Sequence, residues 1–261
     1  MVLRADRGGS ALAVERAADV MFLLARLGNA SISELASATD SSGSAVHRIL
    51  TALKNKGLVE QDPDTQRYEL SRAVLKLARS LSSRADVRTL AIPHMQELRD
   101  ASGETVTLSV RSGSGRVCIQ QVEGVHEIRW VSEIGRVYPL HSGVTGKVLL
   151  AYWDSKGLGA YLRSLDSRRR REPDLPDRGS LEQEIDQVRS AGYALSDNDR
   201  IAGIAAISAP IFGPSGSVAA ALTLAAPAWR FTHDVLAGWV PQLRDAADEI
   251  TRALKPPQEA A

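Results

Sequence analysis

Ser42-Gly-Ser-Ala-Val-His-Arg-Ile-Leu-Thr-Ala-Leu-Lys-Asn-Lys56 is the stretch whose reading decides the fold of this 261-residue chain. Its apolar residues Val46, Ile49, Leu50 and Leu53 fall at i, i+3, i+4 and i+7, the period of an amphipathic helix. At about 100° per residue, Ser44, His47, Arg48, Thr51 and Asn55 project from the opposite side. No Asp or Glu occurs from Ser41 to Leu58, whereas Arg48, Lys54 and Lys56 are positive. That outer face suits DNA, because Arg can fork onto guanine, Asn can pair with adenine, and hydroxyls can reach bases or phosphates. An ordinary solvated helix face is the alternative, and the flanking sequence decides between the two.

Upstream, Val14, Ala17, Ala18, Met21, Leu24 and Ala25 recur at helical spacing and predict a first helix over Leu12–Leu27, ended by Gly28-Asn29. Residues 1–11, charged and glycine-containing, predict a mobile arm. Ser31-Ile-Ser-Glu34 fits a capping box that opens a short second helix, with Ile32, Leu35 and Ala36 facing inward. Thr39-Asp40-Ser41 forms a turn, and Ser41 or Ser42 caps the third helix. After Gly57 the period changes to two. Leu58–Gln61 reads as a strand, Asp62-Pro-Asp-Thr-Gln66 as a turn and Arg67–Leu70 as the returning strand. This order over residues 12–71 is that of a winged helix-turn-helix whose third helix is the recognition helix. A winged helix can also be a protein-docking module; the acid-free third helix and the cationic wing residue Arg67 argue for DNA instead.

The remaining length suffices for a second domain, and 44% hydrophobic with 24% charged residues is the composition of a globular protein. A net charge of +1 requires that any basic surface be local, or be concentrated by dimerisation. The single cysteine, Cys118, excludes an intramolecular disulfide and a cysteine-cluster metal site. No apolar run spans a bilayer and no apolar signal core opens the chain, so a cytoplasmic location without membrane attachment is expected. A linker helix is expected over residues 72–84, the second domain over 85–255 and a tail over 256–261. Pro93 predicts a kink or a fresh helix start. Strands are expected at Thr105–Arg111, Val117–Val122, Ile128–Val131, Tyr193–Ser196, Gly203–Phe212 and Val218–Ala225. Helices are expected at Gly143–Trp153, Leu181–Ala191 and Thr232–Leu254, the last broken at Pro241. Leu165 to Gly179, with Arg168-Arg-Arg-Arg171, reads as a polar, solvated connection. Consecutive strands flanked by helices, without regular alternation, indicate an α+β fold.

Catalytic signals are poor. Side chains of the neighbours His141 and Ser142 diverge, which makes them an unpromising nucleophile–base pair. Asp197-Asn-Asp199 lacks the glycine and glutamate of a calcium loop. With no phosphate loop, no dinucleotide fingerprint and no metal-ligand spacing, no catalytic residue, metal or cofactor is expected. Binding is better supported. His141-Ser-Gly-Val-Thr-Gly146 runs into a helix whose free amides can hold a carboxylate; a helix entry with glycines for close packing is the alternative. Val106, Leu108, Val110, Ile119, Trp130 and Val131 are candidates for an apolar pocket lining.

Ser44-Ala-Val-His-Arg48, Asp62-Pro-Asp-Thr-Gln-Arg-Tyr68, Leu140-His-Ser-Gly-Val-Thr-Gly-Lys-Val-Leu-Leu150 and Ile207-Ser-Ala-Pro210, in this order, resemble the IclR family of bacterial transcription regulators. The resemblance covers about Leu12 to Leu254. It implies a winged helix-turn-helix joined by a linker helix to a GAF-like effector domain, with an antiparallel sheet flanked by helices. It further implies a homodimer or dimer of dimers that binds double-stranded promoter DNA and a small-molecule effector. Carried over by position, Ser44, His47 and Arg48 would face DNA, with Arg67 and Tyr68 on the wing; Ser42 and Thr51, on the same helix stretch, join the expected DNA-binding residues. His141, Ser142, Gly143, Thr145 and Gly146 would border the effector, with Asp199, Ala206, Ile207 and Ser208 near it; Leu108, Val110, Ile119 and Trp130, read from the strands as pocket lining, complete the expected site. Gly43 stands where relatives often carry Lys or Arg, and Ala206 where many place Cys or Ser. The second departure predicts an effector less polar than a small keto acid, such as an aromatic acid. An enzyme using the His141-Ser142 region, or a ligand-binding adaptor without DNA recognition, are the rival readings.

Overall fold

The computed structural model describes residues 7–80, 87–169, 172, 175–197 and 202–255. The chain divides into two compact units, Met1–Arg84 and Ala85–Ala261. Residues 1–6 of the expected arm, Leu81–Arg84 of the expected linker helix, Arg170, Arg171, Asp199 and the tail 256–261 lie outside the described residues.

The first unit opens with α1 (Arg7–Leu27), so residues 7–11 are helical rather than part of an arm. Gly28 follows with φ +77°, a left-handed turn that glycine adopts without steric cost. Then come β1 (Asn29–Ala30), α2 (Ile32–Ala38), α3 (Gly43–Asn55), β2 (Val59–Gln61), β3 (Tyr68–Leu70) and α4 (Val74–Ser80). The capping box of α2 is present in both directions: Glu34 N donates to Ser31 Oγ, and Ser31 N donates to Glu34 Oε2 at 2.7 Å. Ser42 rather than Ser41 caps α3, its hydroxyl accepting from Ala45 N at 3.2 Å. The wing carries a third strand that no periodicity announces, because β1 is two residues long; Ala30 and Gln61 both pair with Tyr68 across an antiparallel β1-β3-β2 sheet. Val20, Leu24, Ala30, Leu35, Val46, Leu50 and Val59 form the buried core.

The second unit contains α5 (Val87–Ser102), β4 (Thr105–Ser112), β5 (Gly115–Val122), β6 (Val137–Pro139), α6 (Gly143–Ala151), α7 (Ser155–Arg169) and α8 (Arg178–Ala191). It continues with β7 (Ala194–Asp197), β8 (Ile204–Phe212), β9 (Val218–Pro227), α9 (His233–Gly238) and α10 (Val240–Leu254). Helix α5 runs through Pro93, while Pro241 sits in the first turn of α10, where its missing N–H costs nothing. The six strands form one antiparallel sheet in the order β6-β5-β4-β9-β8-β7. A register shift between Leu108 and Ser109 interrupts the β4–β5 ladder.

Successive strand residues point to opposite faces. One set, Val106, Leu108, Ala205, Ile207, Ala209, Leu222 and Leu224, packs with Met95 of α5 and Leu243 and Ile250 of α10. Helices α6, α7 and α8 form a second core on the other face through Val148, Leu149, Tyr161, Leu165, Leu181 and Ile185, joined by Ala221 of β9. Two expectations are corrected here. Ile128–Val131 is not a strand; the sheet instead continues with β6, paired to β5 through Val117↔Val137. The stretch from Leu165 is not a connection at its start, because α7 continues to Arg169; Leu158, Tyr161, Leu162 and Leu165 give it a buried face.

Helix α6 lies directly on the turn before it. A Cβ built on Gly146 would stand 2.1 Å from the Leu140 carbonyl oxygen, so this glycine serves close backbone packing. Alanine is the better helix former by about 1 kcal/mol, but a clash with backbone cannot be relieved by a rotamer change. Gly146→Ala is therefore expected to destabilise the protein by about 1–3 kcal/mol, read as a lowered urea midpoint.

Candidate nucleic-acid interface and ligand cleft

On α3, Val46, Leu50 and Leu53 are buried, while Ser44, His47, Arg48, Thr51 and Asn55 are exposed together on the far side. Ser42 shares a 3.1 Å hydrogen bond with Ser44, and the Thr51 hydroxyl donates to the His47 carbonyl at 2.8 Å. These bonds fix the hydroxyls on a helix that carries no acid. Lys54 Nζ donates to Gln61 Oε1 at 3.3 Å and ties the end of α3 to the wing.

The two wing residues behave differently from the expectation. Tyr68 is a correction: it is only 6% exposed and belongs to the core, because the returning strand turns this side of its pleat inward. Arg67 is half-exposed, but its Nη2 lies 2.7 Å from Glu34 Oε2 and its Nε donates to Asn29 Oδ1 at 2.6 Å. It thus pins the wing to the start of α2. The backbone amide of Ser31, and then the Arg67 guanidinium, hold the Glu34 carboxyl below its ordinary value.

A cleft opens on the α6 side of the second sheet; its enclosed volume is small, about 60 Å³, and most of its roughly 530 Å³ of free space is open to solvent. Its floor is Thr107, Arg116, Ala206, Thr223 and Ala225; Ser196 and Ile204 stand at one side, Trp130 and Ser132 at another, and Gly143, Val144 and Thr145 begin α6 above. Thr107 pairs with Thr223, and Thr223 with Ser208, across three neighbouring strands. Thr223 Oγ1 shares hydrogen bonds with Thr145 Oγ1 at 2.9 Å and Ser208 Oγ at 2.8 Å, so these buried hydroxyls satisfy one another. Arg116 is 6% exposed, with its guanidinium 5.2 Å from the Tyr138 ring centre. Gly143, at φ +76°, turns the chain into α6. A buried guanidinium among hydroxyls can bind a carboxylate through two parallel hydrogen bonds, and Trp130, Val144, Ile204 and Ala225 offer an apolar body its contact.

Of the expected effector residues, Trp130, Gly143, Thr145 and Ala206 line this cleft, and Ser208 lies beneath it on Thr223. Leu108, Val110, Ile119 and Ile207 are corrections, for they pack toward α5 and α10 on the opposite face. Apolar strand residues go to the face with the larger apolar cover, which leaves the polar alternates Thr107 and Thr223 for the cleft. Among the described residues His141, Ser142 and Gly146 do not line it. The His141 amide donates to Tyr161 Oη at 2.9 Å, and its Nδ1 lies 2.9 Å from the same oxygen. Burial, followed by the charge of Arg168, lowers the His141 pKa, and burial raises those of Tyr161 and the Cys118 thiol. Thr107, Arg116, Ser132, Val144, Ser196, Ile204, Thr223 and Ala225 line the cleft outside the expected set. No group of three or more metal-ligating side chains occurs among the described residues, and no described helix is long and apolar enough to cross a membrane.

Residues 13–63 match the IclR helix-turn-helix domain, and residues 79–252 match the bacterial transcriptional regulator IclR C-terminal domain. The chain is 31% identical over 223 residues to the HTH-type transcriptional regulator KipR of Bacillus subtilis, covering 85% of this chain and 89% of that protein. It is 29% identical over 258 residues to the HTH-type transcriptional regulator BhcR of Paracoccus denitrificans, covering 99% and 92%. The crystal structure of Thermotoga maritima IclR superposes with a TM-score of 0.72 at 27% identity, covering 94% of this chain and all of that one.

Glu34 supplies a pH dependence with a definite sign. Because its folded-state pKa is lowered, its contribution is full above the ordinary carboxylate value of about 4.3. It is lost as pH falls through the lower folded value. The melting temperature of the first unit should fall with acidification over that window, and Glu34→Gln should flatten this part of the profile in circular-dichroism melts from pH 6 to 2.

Proposed function

Since the chain belongs to the IclR family of bacterial transcriptional regulators, DNA-binding proteins and not enzymes, we propose that α3 reads an operator while the cleft accepts an aromatic or amphipathic carboxylate. The observation that carries the DNA half is the outward cluster of Ser44, His47, Arg48, Thr51 and Asn55 on a helix without an acid. Arg48 is the base reader in this reading. Ser42 and Ser44 contact phosphate, and Thr51 flanks the reading edge. Arg67 contributes mainly by bracing the wing against α2, its charge being largely offset by Glu34.

The observation that carries the effector half is the buried Arg116 beside Trp130 and Ile204. The guanidinium and the Thr107 hydroxyl supply the carboxylate end, the Thr145 and Thr223 hydroxyls being paired with each other and with Ser208, and the apolar wall supplies the body. Ala206 removes a polar group from the floor, which favours a ring over a keto group. Two or four copies would present paired recognition helices to half-sites about one helical turn, or a multiple, apart. Effector binding would act by favouring one spacing of those helices over another. Such a regulator works where the chromosome is, in the cytoplasm.

Arg48→Ala should weaken binding to DNA flanking the protein's own gene by at least tenfold in a gel shift, matching about 1–3 kcal/mol for a bidentate base contact. Unchanged retardation by the folded variant would mean that another side chain reads the operator. For the cleft, calorimetry should find an aromatic monocarboxylate such as benzoate bound at least tenfold more tightly than its amide. Arg116→Met should abolish that difference. Equal affinity of acid and amide for the unaltered protein would remove Arg116 from the effector site.

A further inference from the structure

We propose that the Glu104–Arg230 ion pair clamps residues 123–132 in place as one wall of the cleft, which makes Arg230 a positioning residue for Trp130; the functional part of this rests on the effector reading above. Residues 123–132 have neither helix nor strand. Val125 and Ile128 are 65% and 67% exposed, so apolar burial does little to hold the segment. Yet it carries Trp130 and Ser132, both of which line the cleft.

What holds it is polar. Val125 N donates to the Gly103 carbonyl at 3.0 Å, and Gly124 N to Thr105 Oγ1 at 3.0 Å. The Thr105 hydroxyl donates to the Trp130 carbonyl at 2.5 Å, and Ser132 N to Gln121 Oε1 at 2.6 Å. Between these end tethers Arg129 ties the span to itself, donating to Glu123 Oε2 at 2.8 Å and to the His126 carbonyl at 3.3 Å, while Arg230 ties it to the rest of the unit. Arg230, in the turn after β9, donates through Nη2 to the Ile128 carbonyl at 2.9 Å and through Nε to Glu104 Oε1. Glu104 is fully buried just after α5, and its Oε2 has no hydrogen-bond partner among the described residues. The His126 ring also approaches this carboxylate, with Nε2 3.8 Å from Oε1. The buried carboxylate fixes the guanidinium firmly, because Arg230 cannot leave without stranding the Glu104 charge in the interior. Through that fixed guanidinium the Ile128 carbonyl, two residues from Trp130, is given a single position. Close contact supports the same role: a Cβ on Gly124 would lie 2.7 Å from the Gly103 carbonyl oxygen, so the segment rests directly on the backbone that carries Glu104.

Removing Arg230 alone would leave the Glu104 charge buried and could unfold the unit. The test therefore uses Glu104→Gln with Arg230→Gln, a neutral pair, beside Arg230→Lys, which keeps the charge but not the two-way fork. In the full-length protein, hydrogen–deuterium exchange of amides 124–132 should accelerate at least tenfold in the neutral pair, with β8 and β9 amides unchanged. Arg230→Lys should fall between. Benzoate affinity should drop at least tenfold in the neutral pair, and that drop should vanish when Trp130→Ala is already present. A general structural role would give the same loss in both backgrounds. Unchanged exchange at 124–132 in the folded neutral pair would overturn the clamp, as would an affinity loss independent of Trp130. If the unaltered protein binds no acid probe, the effector reading fails, and the exchange comparison still decides whether the clamp exists.

Discussion

The strict alternation of side chains along β4, β8 and β9 is the constraint on which the second unit depends. Each strand sends one set of residues toward α5 and α10 and the other toward α6. The first set is almost wholly apolar and supplies the driving force for folding. The second is allowed to be polar, because Thr145, Ser208 and Thr223 satisfy one another across three elements. Burying unpaired hydroxyls would be costly; burying a connected row is tolerable and leaves a preorganised surface. The cleft is thus a by-product of how the sheet solves its own packing.

The first unit solves a smaller problem with fewer means. Its core is a handful of residues from three helices and a miniature sheet, so much of its definition comes from helix ends and from one ion pair. The Ser31 capping box, the Ser42 cap and the Arg67–Glu34 bridge orient α2, α3 and the wing relative to one another. A recognition helix must offer its side chains in a fixed register to a rigid duplex, and these local ties provide that rigidity without requiring a larger core.

Period and capping chemistry were legible in the sequence wherever a segment was long and had one solvent face. The helices around Val46 and Leu35, the Ser31 cap and the long strands β4, β8 and β9 all read correctly. The two-residue β1 was not legible, since its existence depends on Tyr68 arriving from a distant strand. Nor was the parity of the effector residues. Leu108 and Ile207 attract attention because they are apolar, yet the sequence cannot say which face of a two-sided sheet carries the larger helical cover. Tyr68 misled for a related reason: its phenol suggests a polar contact, whereas its strand turns it inward. Helix α7 was masked by its arginine-rich end, which outweighed the apolar spacing of Leu158, Tyr161, Leu162 and Leu165.

The irregularity in the β4–β5 ladder has a consequence for how such a cleft could diverge. Before it, Thr107 pairs with Gln121 and Leu108 with Gln120; after it, Ser109 pairs with Cys118 and Arg111 with Arg116. One extra residue on β5 has been absorbed, and every later side chain on that strand has changed sides. Were the ladder uniform, Arg116 would fall on the face that α5 and α10 cover. The charge at the cleft floor is therefore tied to strand phase as much as to the identity of position 116. In evolutionary terms, losing the bulge while keeping every residue of β5 would swing Arg116 to the other face with its codon untouched, whereas deleting Ile119 would straighten the ladder and leave Arg116 opposite Arg111.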